Sequence, residues 1–226
     1  MNNPIIVALD VPGAAEAWRL VEELGDAVRF YKVGMELYAA EGPAMVRELL
    51  ARGAQVFLDL KFYDIPETVK RATAQVAQMG VSLLTVHGSG AVMRAAVEGR
   101  GTSGLKLLGV TVLTSFDESD LADMGYACKV EDLVSLRVRK AVEAGVDGLV
   151  CSPLEVARVR EIAGAAAVLV TPGVRSAGAA TGDQKRVATP KEALRNGATY
   201  LVIGRQITRA ADPRAEALRI LEEIAS

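Results

Sequence analysis

Residues Val56 to Val69 read VFLDLKFYDIPETV, and this segment joins an apolar strand pattern to a cluster of charges. Its first half is aliphatic and aromatic, which predicts a buried β-strand. Side chains on a strand alternate between its two faces, so Asp59 and Lys61 share one face, roughly 6–7 Å apart along it. Because Pro66 suits the first turn of a helix and is excluded from a central strand, we expect the strand to end by Tyr63.

Asp64 follows in the turn beyond this strand, and we expect it to converge with Asp59 and Lys61 on one spot. Two neighbouring carboxylates would stabilise the charged form of the lysine. A Schiff-base lysine must instead be neutral, which burial in an apolar pocket or a second cation usually achieves. The segment therefore predicts a fixed ammonium that stabilises a developing anion and then protonates it. A structural salt-bridge network at a strand end is the alternative interpretation.

Composition narrows the class of protein. A chain of 226 residues is an ordinary size for one α/β barrel or doubly wound sheet. Half of the residues are hydrophobic and the formal net charge is −2, so we expect neither nucleic acid nor an anionic membrane as a partner. The two cysteines, Cys128 and Cys151, are too few for a disulfide framework and are typical of reduced thiols. Without a signal peptide or a membrane-spanning run, the chain is expected to be cytoplasmic and to bind small molecules.

His87 is the only histidine, which limits the available mechanisms. Histidine-rich zinc sites cannot be built, and a Ser-His-Asp triad would have to use this one residue. It follows the apolar run Leu83 to Val86, so we interpret it as a hydrogen-bonded polar residue at a strand end, with a catalytic role as the alternative.

Short aliphatic runs alternate with segments of helical period along the whole chain. The predicted strands are Ile5 to Leu9, Arg29 to Val33, Gln55 to Leu60, Ser82 to Val86, Lys106 to Leu113, Gly148 to Cys151, Ala167 to Thr171 and Tyr200 to Ile203. Apolar residues between them recur at helical spacing, as at Ala17, Leu20 and Leu24. Eight strand–helix units predict one closed (β/α)8 barrel domain over residues 1–226, with an open doubly wound sheet as the alternative.

Polar residues gather where these predicted strands end. In a barrel, the loops at the carboxyl ends of the strands form the functional site. The residues at these positions are Asp10, Lys32, Asp59, Lys61, Asp64, His87, Thr114 and Ser115. Charged residues are among the least often buried, so repeated charge at strand ends favours the catalytic interpretation of Lys61.

The loops after the seventh and eighth strands carry a different pattern. Pro172 to Arg175 follows the seventh strand, and Gly204 and Arg205 follow the eighth at the predicted start of a helix. Glycine lets backbone N–H groups approach an anion, and a guanidinium group matches phosphate oxygens. Because barrels commonly bind phosphate at these two loops, we expect a phosphate site here.

Residues 174–189 form a long loop that is rich in small and polar side chains. Loops of this length in a compact domain are usually functional lids or disordered segments. We interpret it as a lid that closes over the phosphate, with Gln184 and Arg175 gripping the ligand; a flexible insertion is the alternative.

Together these residues resemble bacterial-type members of the orotidine 5′-phosphate decarboxylase family. The motif Asp-x-Lys-x-x-Asp-Ile-Pro-x-Thr at residues 59–68 carries most of the resemblance, which spans the whole chain. The other matching segments are Ala8-Leu9-Asp10, Lys32-Val33-Gly34, Pro172-Gly173-Val174-Arg175 and Gly204-Arg205. The resemblance implies a homodimer of (β/α)8 barrels that converts orotidine 5′-monophosphate to uridine 5′-monophosphate and CO2 in pyrimidine synthesis, with no metal or organic cofactor.

The resemblance also implies roles in the reaction. Lys61 would donate a proton to C6 of the pyrimidine, and Asp59 would lie near the departing carboxylate. Lys32 would complete an alternating array of charges. Asp64 would be contributed across the dimer interface by the partner subunit.

Further residues would bind the substrate without taking part in proton transfer. They would be Asp10, Lys32 and Thr68 at the ribose, Asp59, Ile65 and Thr114 elsewhere along the site, and Arg175, Gln184, Gly204 and Arg205 at the phosphate.

Two other functions stay open. A magnesium-dependent sugar-phosphate decarboxylase of the 3-keto-gulonate 6-phosphate type shares the Asp-x-Lys-x-x-Asp pattern, and its need for metal distinguishes it. A non-catalytic phosphate or nucleotide sensor on the same scaffold would show no turnover.

Overall fold

The fold is a closed parallel barrel. The structure, a computed structural model, describes residues 3–177 and 188–226. Each strand pairs in parallel with the next along the chain, and the last pairs with the first. The strands are β1 (Ile5–Ala8), β2 (Phe30–Gly34), β3 (Gln55–Phe62), β4 (Leu83–His87), β5 (Lys106–Val110), β6 (Gly148–Val150), β7 (Val168–Thr171) and β8 (Tyr200–Ile203). The predicted (β/α)8 barrel is confirmed, and the doubly wound sheet is excluded.

Helices connect the strands. They are α1 (Ala14–Leu24), α2 (Met35–Ala51), α3 (Pro66–Met79), α4 (Gly90–Arg100), α5 (Glu118–Asp123), α6 (Val130–Ala144), α7 (Val156–Ala163), α8 (Pro190–Arg195), α9 (Arg205–Thr208) and α10 (Pro213–Ala225). Pro66 opens α3 directly after the turn that ends β3, as its fixed φ favours. Within residues 3–177 and 188–226, no helix is both long enough and apolar enough to cross a membrane.

The barrel strands separate two apolar layers. Outward-facing side chains such as Leu58 and Leu84 pack against the helices. Inward-facing side chains fill the barrel itself, and these are Ile6, Ala8, Phe30, Phe57, Leu83, Leu108, Val168, Val170 and Val202. Residues two apart on a strand share a face, so Lys32, Asp59 and Thr85 follow Phe30, Phe57 and Leu83 on the inner wall. The apolar filling therefore forms a floor beneath these polar side chains.

One predicted strand boundary is wrong by three residues. β5 ends at Val110, whereas its apolar run continues to Leu113. The guanidinium group of Arg137 donates a hydrogen bond to the carbonyl oxygen of Thr111, the first residue after β5. This carbonyl therefore bonds to a side chain where the chain leaves the barrel. Leu113 lies beyond that point and is 37% exposed. The β3 strand runs two residues past its predicted end at Leu60, and the other boundaries agree to within one residue.

Candidate active site

A row of alternating charges lies at the carboxyl ends of β1, β2 and β3. Lys32 Nζ donates a hydrogen bond to Asp10 Oδ1 at 2.7 Å and lies 3.7 Å from Asp59 Oδ2. Lys61 Nζ donates to Asp59 Oδ1 at 2.9 Å. We call these four residues, Asp10, Lys32, Asp59 and Lys61, the charge row. Each charge in it has an opposite charge as its neighbour.

The middle of the charge row is the most buried part. The side chains of Lys32 and Asp59 are 9% and 14% exposed, whereas those of Lys61 and Asp10 are 32% and 55% exposed. Burial alone would raise the pKa of Asp59. The charges of Lys32 and Lys61, with hydrogen bonds from Lys61 and Thr85, outweigh burial and hold this pKa below the usual 3.8. Asp59 is therefore a buried anion at neutral pH.

Gly34, at the end of β2, leaves room for Asp10 and Lys32 of the charge row. A Cβ atom on Gly34 would stand 2.8 Å from both Asp10 Oδ1 and Lys32 Nζ. A larger residue at this position would force the end of one or both of these side chains to move. The glycine of the Lys32-Val33-Gly34 motif thus permits the Asp10–Lys32 ion pair.

Lys61 has an unusual backbone conformation. Its φ angle is 50°, and within residues 3–177 and 188–226 it is the only residue other than glycine with a positive φ. The pairing of β3 with β4 shifts register around it, because Leu58 pairs with Leu84 while Phe62 pairs with Val86. Left-handed backbone in a non-glycine residue costs on the order of 1–3 kcal/mol and is found preferentially at functional sites.

Thr85 on β4, which the sequence did not single out, contacts both Lys61 and Asp59. Thr85 Oγ1 accepts a hydrogen bond from the Lys61 backbone N–H at 2.9 Å and donates one to Asp59 Oδ1 at 2.9 Å. Its side chain is fully buried. A threonine inside the otherwise aliphatic run of β4 was the available signal, because a buried hydroxyl needs partners.

The structure does not bring Asp64 to Lys61 within one chain. Asp64 is exposed in the turn after β3, where its Oδ1 accepts a hydrogen bond from the Ile65 backbone N–H, and it forms no ion pair with Lys61. The expectation that the three charges of the motif converge within a single chain is therefore wrong. Ile65 and Thr68 are also exposed, at the start of α3.

His87 ends β4 and differs from its expected description. Its ring stacks on Tyr63 with a centroid separation of 4.1 Å. Its Nδ1 atom is buried and has no hydrogen-bond partner in the part of the chain that the structure describes, so the interpretation as a fully hydrogen-bonded residue is wrong. Burial, and then the charge of Arg137, lowers the pKa of His87, which favours a neutral imidazole.

Two arginines follow the neighbouring strands β7 and β8 and are near enough for their charges to interact. Arg175 follows β7 and donates from NH1 to the Val174 carbonyl at 2.6 Å, and Arg205 begins α9 directly after Gly204. Burial, and then the positive charge of Arg205, lowers the pKa of Arg175. An anion bound between the two guanidinium groups would relieve this repulsion. We call Arg175 and Arg205 the arginine pair.

A polar network behind the arginine pair joins its two loops. Gln206 Nε2 donates to Ser176 Oγ and to Glu216 Oε1, each at 2.9 Å, and the Ser176 backbone N–H donates to Gln206 Oε1 at 3.2 Å. Ser176 Oγ donates in turn to Glu223 Oε2 at 2.6 Å. Because Ser176 and Gln206 each follow one of the two arginines, the network fixes the arginines relative to each other. The sequence analysis missed these residues, since nothing in their spacing predicts the contact.

The remaining predicted residues lie near the site or outside the described part. Thr114 is half-buried in a turn after β5. The two ends of the long loop meet, because Val174 forms a β-bridge with Ala188 and the Arg175 N–H donates to the Ala188 carbonyl at 3.0 Å. Gln184 and the rest of the proposed lid, residues 178–187, lie outside the described residues.

Possible metal ligands do not gather anywhere in the described ranges. In residues 3–177 and 188–226 there is no group of three or more His, Cys, Asp or Glu side chains suited to hold an ion. Cys128 is exposed and Cys151 is buried, and the two do not form a disulfide with each other.

A closed parallel (β/α)8 barrel with charged side chains at the carboxyl ends of its strands defines a class of enzymes whose sites lie at that end. The model of the orotidine 5′-phosphate decarboxylase / HUMPS family matches residues 3–220. The chain belongs to this family.

Named relatives are similar over nearly the whole chain. Orotidine 5′-phosphate decarboxylase of Nitrobacter winogradskyi is 53% identical over 224 residues, covering 99% of this chain and 93% of the relative. That of Methylobacterium nodulans is 52% identical over 228 residues, covering 100% and 97%. The crystal structure of orotidine 5′-phosphate decarboxylase from Lactobacillus acidophilus superposes with a TM-score of 0.88 at 35% identity and full coverage of both chains. These relatives carry the name of a carboxy-lyase.

Proposed function

We propose that the protein decarboxylates orotidine 5′-monophosphate to uridine 5′-monophosphate and CO2, as a cytoplasmic enzyme of pyrimidine synthesis. The observation that carries the proposal is the charge row, which ends in an ammonium group at the mouth of the barrel. The family to which the chain belongs adds support.

The chemistry demands a cation close to one ring carbon. When the bond from C6 to the carboxylate breaks, CO2 leaves and the electron pair remains on C6 as a vinylic carbanion with little delocalisation. A preformed ammonium stabilises this charge without reorganisation, and Lys61 then transfers a proton to C6. The amine of Lys61 regains its proton from solvent, to which its side chain is 32% exposed.

Asp59 and Lys32 keep the ammonium of Lys61 in place. Asp59 accepts the Lys61 hydrogen bond at 2.9 Å, and Lys32 balances Asp59 on its other side at 3.7 Å. The alternating order lets Asp59 stay ionised next to a substrate carboxylate. Asp10 and Lys32, which are bonded at 2.7 Å, are the groups that would contact the ribose hydroxyls.

The arginine pair and Gly204 would bind the phosphate. The repulsion between Arg175 and Arg205 favours a dianion between them, and loops seven and eight are the usual phosphate site of barrels. Binding energy gained at this remote group would position the pyrimidine over Lys61 and exclude water. We infer that Thr114 lines the site between the two regions.

A second copy of the chain would complete the site. Tyr63 and Ile65 flank the exposed Asp64 in the chain, and Met35 begins α2 directly after β2. These three side chains are 67%, 67% and 62% exposed. Apolar side chains this exposed beside a site are typical of an interface. We infer that a homodimer buries them and brings Asp64, with Ile65 and Thr68, to the partner's charge row.

A chelator experiment separates this function from its rivals. Asp59 already accepts hydrogen bonds from Lys61 and Thr85 and lies beside Lys32. A divalent cation bound to Asp59 would therefore be repelled by the ammonium groups of both lysines. We therefore expect purified protein to release CO2 from orotidine 5′-monophosphate at an unchanged rate in excess chelator. Activity lost to chelator and restored by magnesium would favour the sugar-phosphate decarboxylase type. No turnover of orotidine 5′-monophosphate or of a 3-keto-gulonate 6-phosphate-type sugar phosphate would favour a sensor.

A further inference from the structure

We propose that Thr85 is a positioning residue, whose hydroxyl group fixes the Lys61 backbone and the Asp59 carboxylate in one geometry. This inference rests on the proposed function, because it assigns catalysis to Lys61 and Asp59. It adds a residue from β4, which lies outside the motif at residues 59–68.

The hydrogen bonds of Thr85 have a fixed direction. A threonine hydroxyl has one proton to donate and two lone pairs that accept. The Lys61 backbone N–H donates to Oγ1 at 2.9 Å, and an ionised carboxylate accepts only, so the hydroxyl proton points to Asp59 Oδ1 at 2.9 Å. The same Oδ1 accepts from Lys61 Nζ at 2.9 Å. Backbone, hydroxyl, carboxylate and amine thus form a closed ring of contacts around Lys61.

The register shift between β3 and β4 explains why a hydroxyl is needed here. Pairing moves from Leu58 opposite Leu84 to Phe62 opposite Val86, and in between the Lys61 N–H donates to a side chain. A partly buried N–H that loses its acceptor destabilises the conformation that holds it there. Without the hydroxyl, the strained φ of 50° would lose the bond that holds it. The amine would then shift, and a displacement of about 1 Å is enough to cost roughly 100-fold in rate.

The hydroxyl also stabilises the charge of Asp59. Lys32 on β2 and Lys61 on β3 face this carboxylate, and Asp10 faces it indirectly through Lys32. The hydrogen bond from Thr85 acts in the same direction as the two lysines and lowers the pKa of Asp59. Removal of the hydroxyl should therefore move the acidic limb of the rate profile to higher pH.

The test compares three substitutions in the full-length protein. Thr85→Val keeps the shape and removes the hydroxyl, and Thr85→Ser keeps the hydroxyl. Thr171→Val is the matched control, because Thr171 is also fully buried at a barrel strand end and its Oγ1 has no hydrogen-bond partner among the described residues. We expect Thr85→Val to lower kcat roughly 10- to 100-fold with KM changed less than about threefold. Its acidic limb should shift upward, while Thr85→Ser and Thr171→Val stay within about threefold of wild type.

Three results would overturn the proposal. They are a wild-type kcat in Thr85→Val, an equal loss in Thr171→Val, and no rescue by Thr85→Ser. If Thr85→Val does not fold, Thr85→Ala takes its place under the same criteria. A wild-type protein that does not decarboxylate orotidine 5′-monophosphate would refute the proposed function instead. In that case a crystal structure of the Thr85 variant decides: a retained positive φ at Lys61 with the Asp59 contact intact would refute the positioning role.

Discussion

The charge row and the arginine pair lie at the same end of the barrel but are built in opposite ways. The charge row alternates in sign, and its two central residues are strand residues with side chains held by direct contacts. The arginine pair brings two like charges together on the segments that follow β7 and β8. The charges of the first region alternate in sign and attract one another, whereas the two guanidinium groups of the second region repel each other.

This difference separates chemistry from anchoring. Groups that meet a short-lived charge must be in place before the reaction, because reorganisation during it raises the barrier. Groups that anchor a permanent dianion can repel each other until it binds, since the negative charge of the ligand then attracts both of them. Strand residues suit the first task and loop residues the second.

The largest expected effect is at Lys61, the end of the charge row on β3. Lys61→Ala removes both the cation and the proton donor, so turnover should fall at least about 1,000-fold. The fold should persist, because the Lys61 side chain is 32% exposed and its amine contributes little to packing. Lys70→Ala, at a surface ion pair with Glu98, is the matched control and should leave the rate unchanged. A Lys61→Ala variant that keeps more than a tenth of the wild-type rate would remove Lys61 from its role.

A mixing experiment tests whether the charge row is completed by a second chain. Inactive Lys61→Ala and Asp64→Asn proteins should regain activity after subunit exchange, because each mixed dimer would contain one site with both native residues. Random exchange of equal amounts predicts recovery of about a quarter of wild-type activity for a two-fold dimer. No recovery after exchange has been confirmed by mass spectrometry would show that Lys61 does not need Asp64 from its partner.

The smallest expected effect concerns acid stability. The pKa of Asp59 is lower in the folded chain than its ordinary value of 3.8. The ionised carboxylate therefore stabilises the fold above the ordinary value, and this contribution is lost as the pH falls through the folded-state pKa. The free energy of unfolding should decline less steeply below pH ~4 in Asp59→Asn than in wild type. Denaturant unfolding at several pH values measures this, and parallel curves would contradict the assigned charge state.

Much of the barrel could be predicted from sequence because its signals are local. Aliphatic runs of four to eight residues and the position of Pro66 predicted the strands and the start of α3. The end of β5 was missed, because the contact between Arg137 and the Thr111 carbonyl joins residues 26 positions apart. No local pattern encodes such a contact.

The charged residues of the site could be predicted from the sequence, but the neutral residues that hydrogen-bond to them could not. Asp10, Lys32, Asp59 and Lys61 stand out because charge at strand ends is rare, and the fold brings them together. Thr85 and the Ser176–Gln206 contact act through neutral hydroxyl and amide groups, which sequence does not distinguish from ordinary polar residues. The exposure of Asp64 follows from the turn geometry after β3, which its motif alone does not specify.

The most direct test of the difference between the arginine pair and the charge row is a measurement of kcat/KM for Arg205→Ala and Lys61→Ala. Each variant is assayed on orotidine 5′-monophosphate and on orotidine, which lacks the phosphate. Arg205→Ala should lose about 100-fold on the phosphorylated substrate and little on orotidine, whereas Lys61→Ala should lose similar factors on both. Arg209→Ala, at the exposed end of α9, should match wild type on both substrates. An equal loss on the two substrates in Arg205→Ala would contradict the separation of anchoring from chemistry.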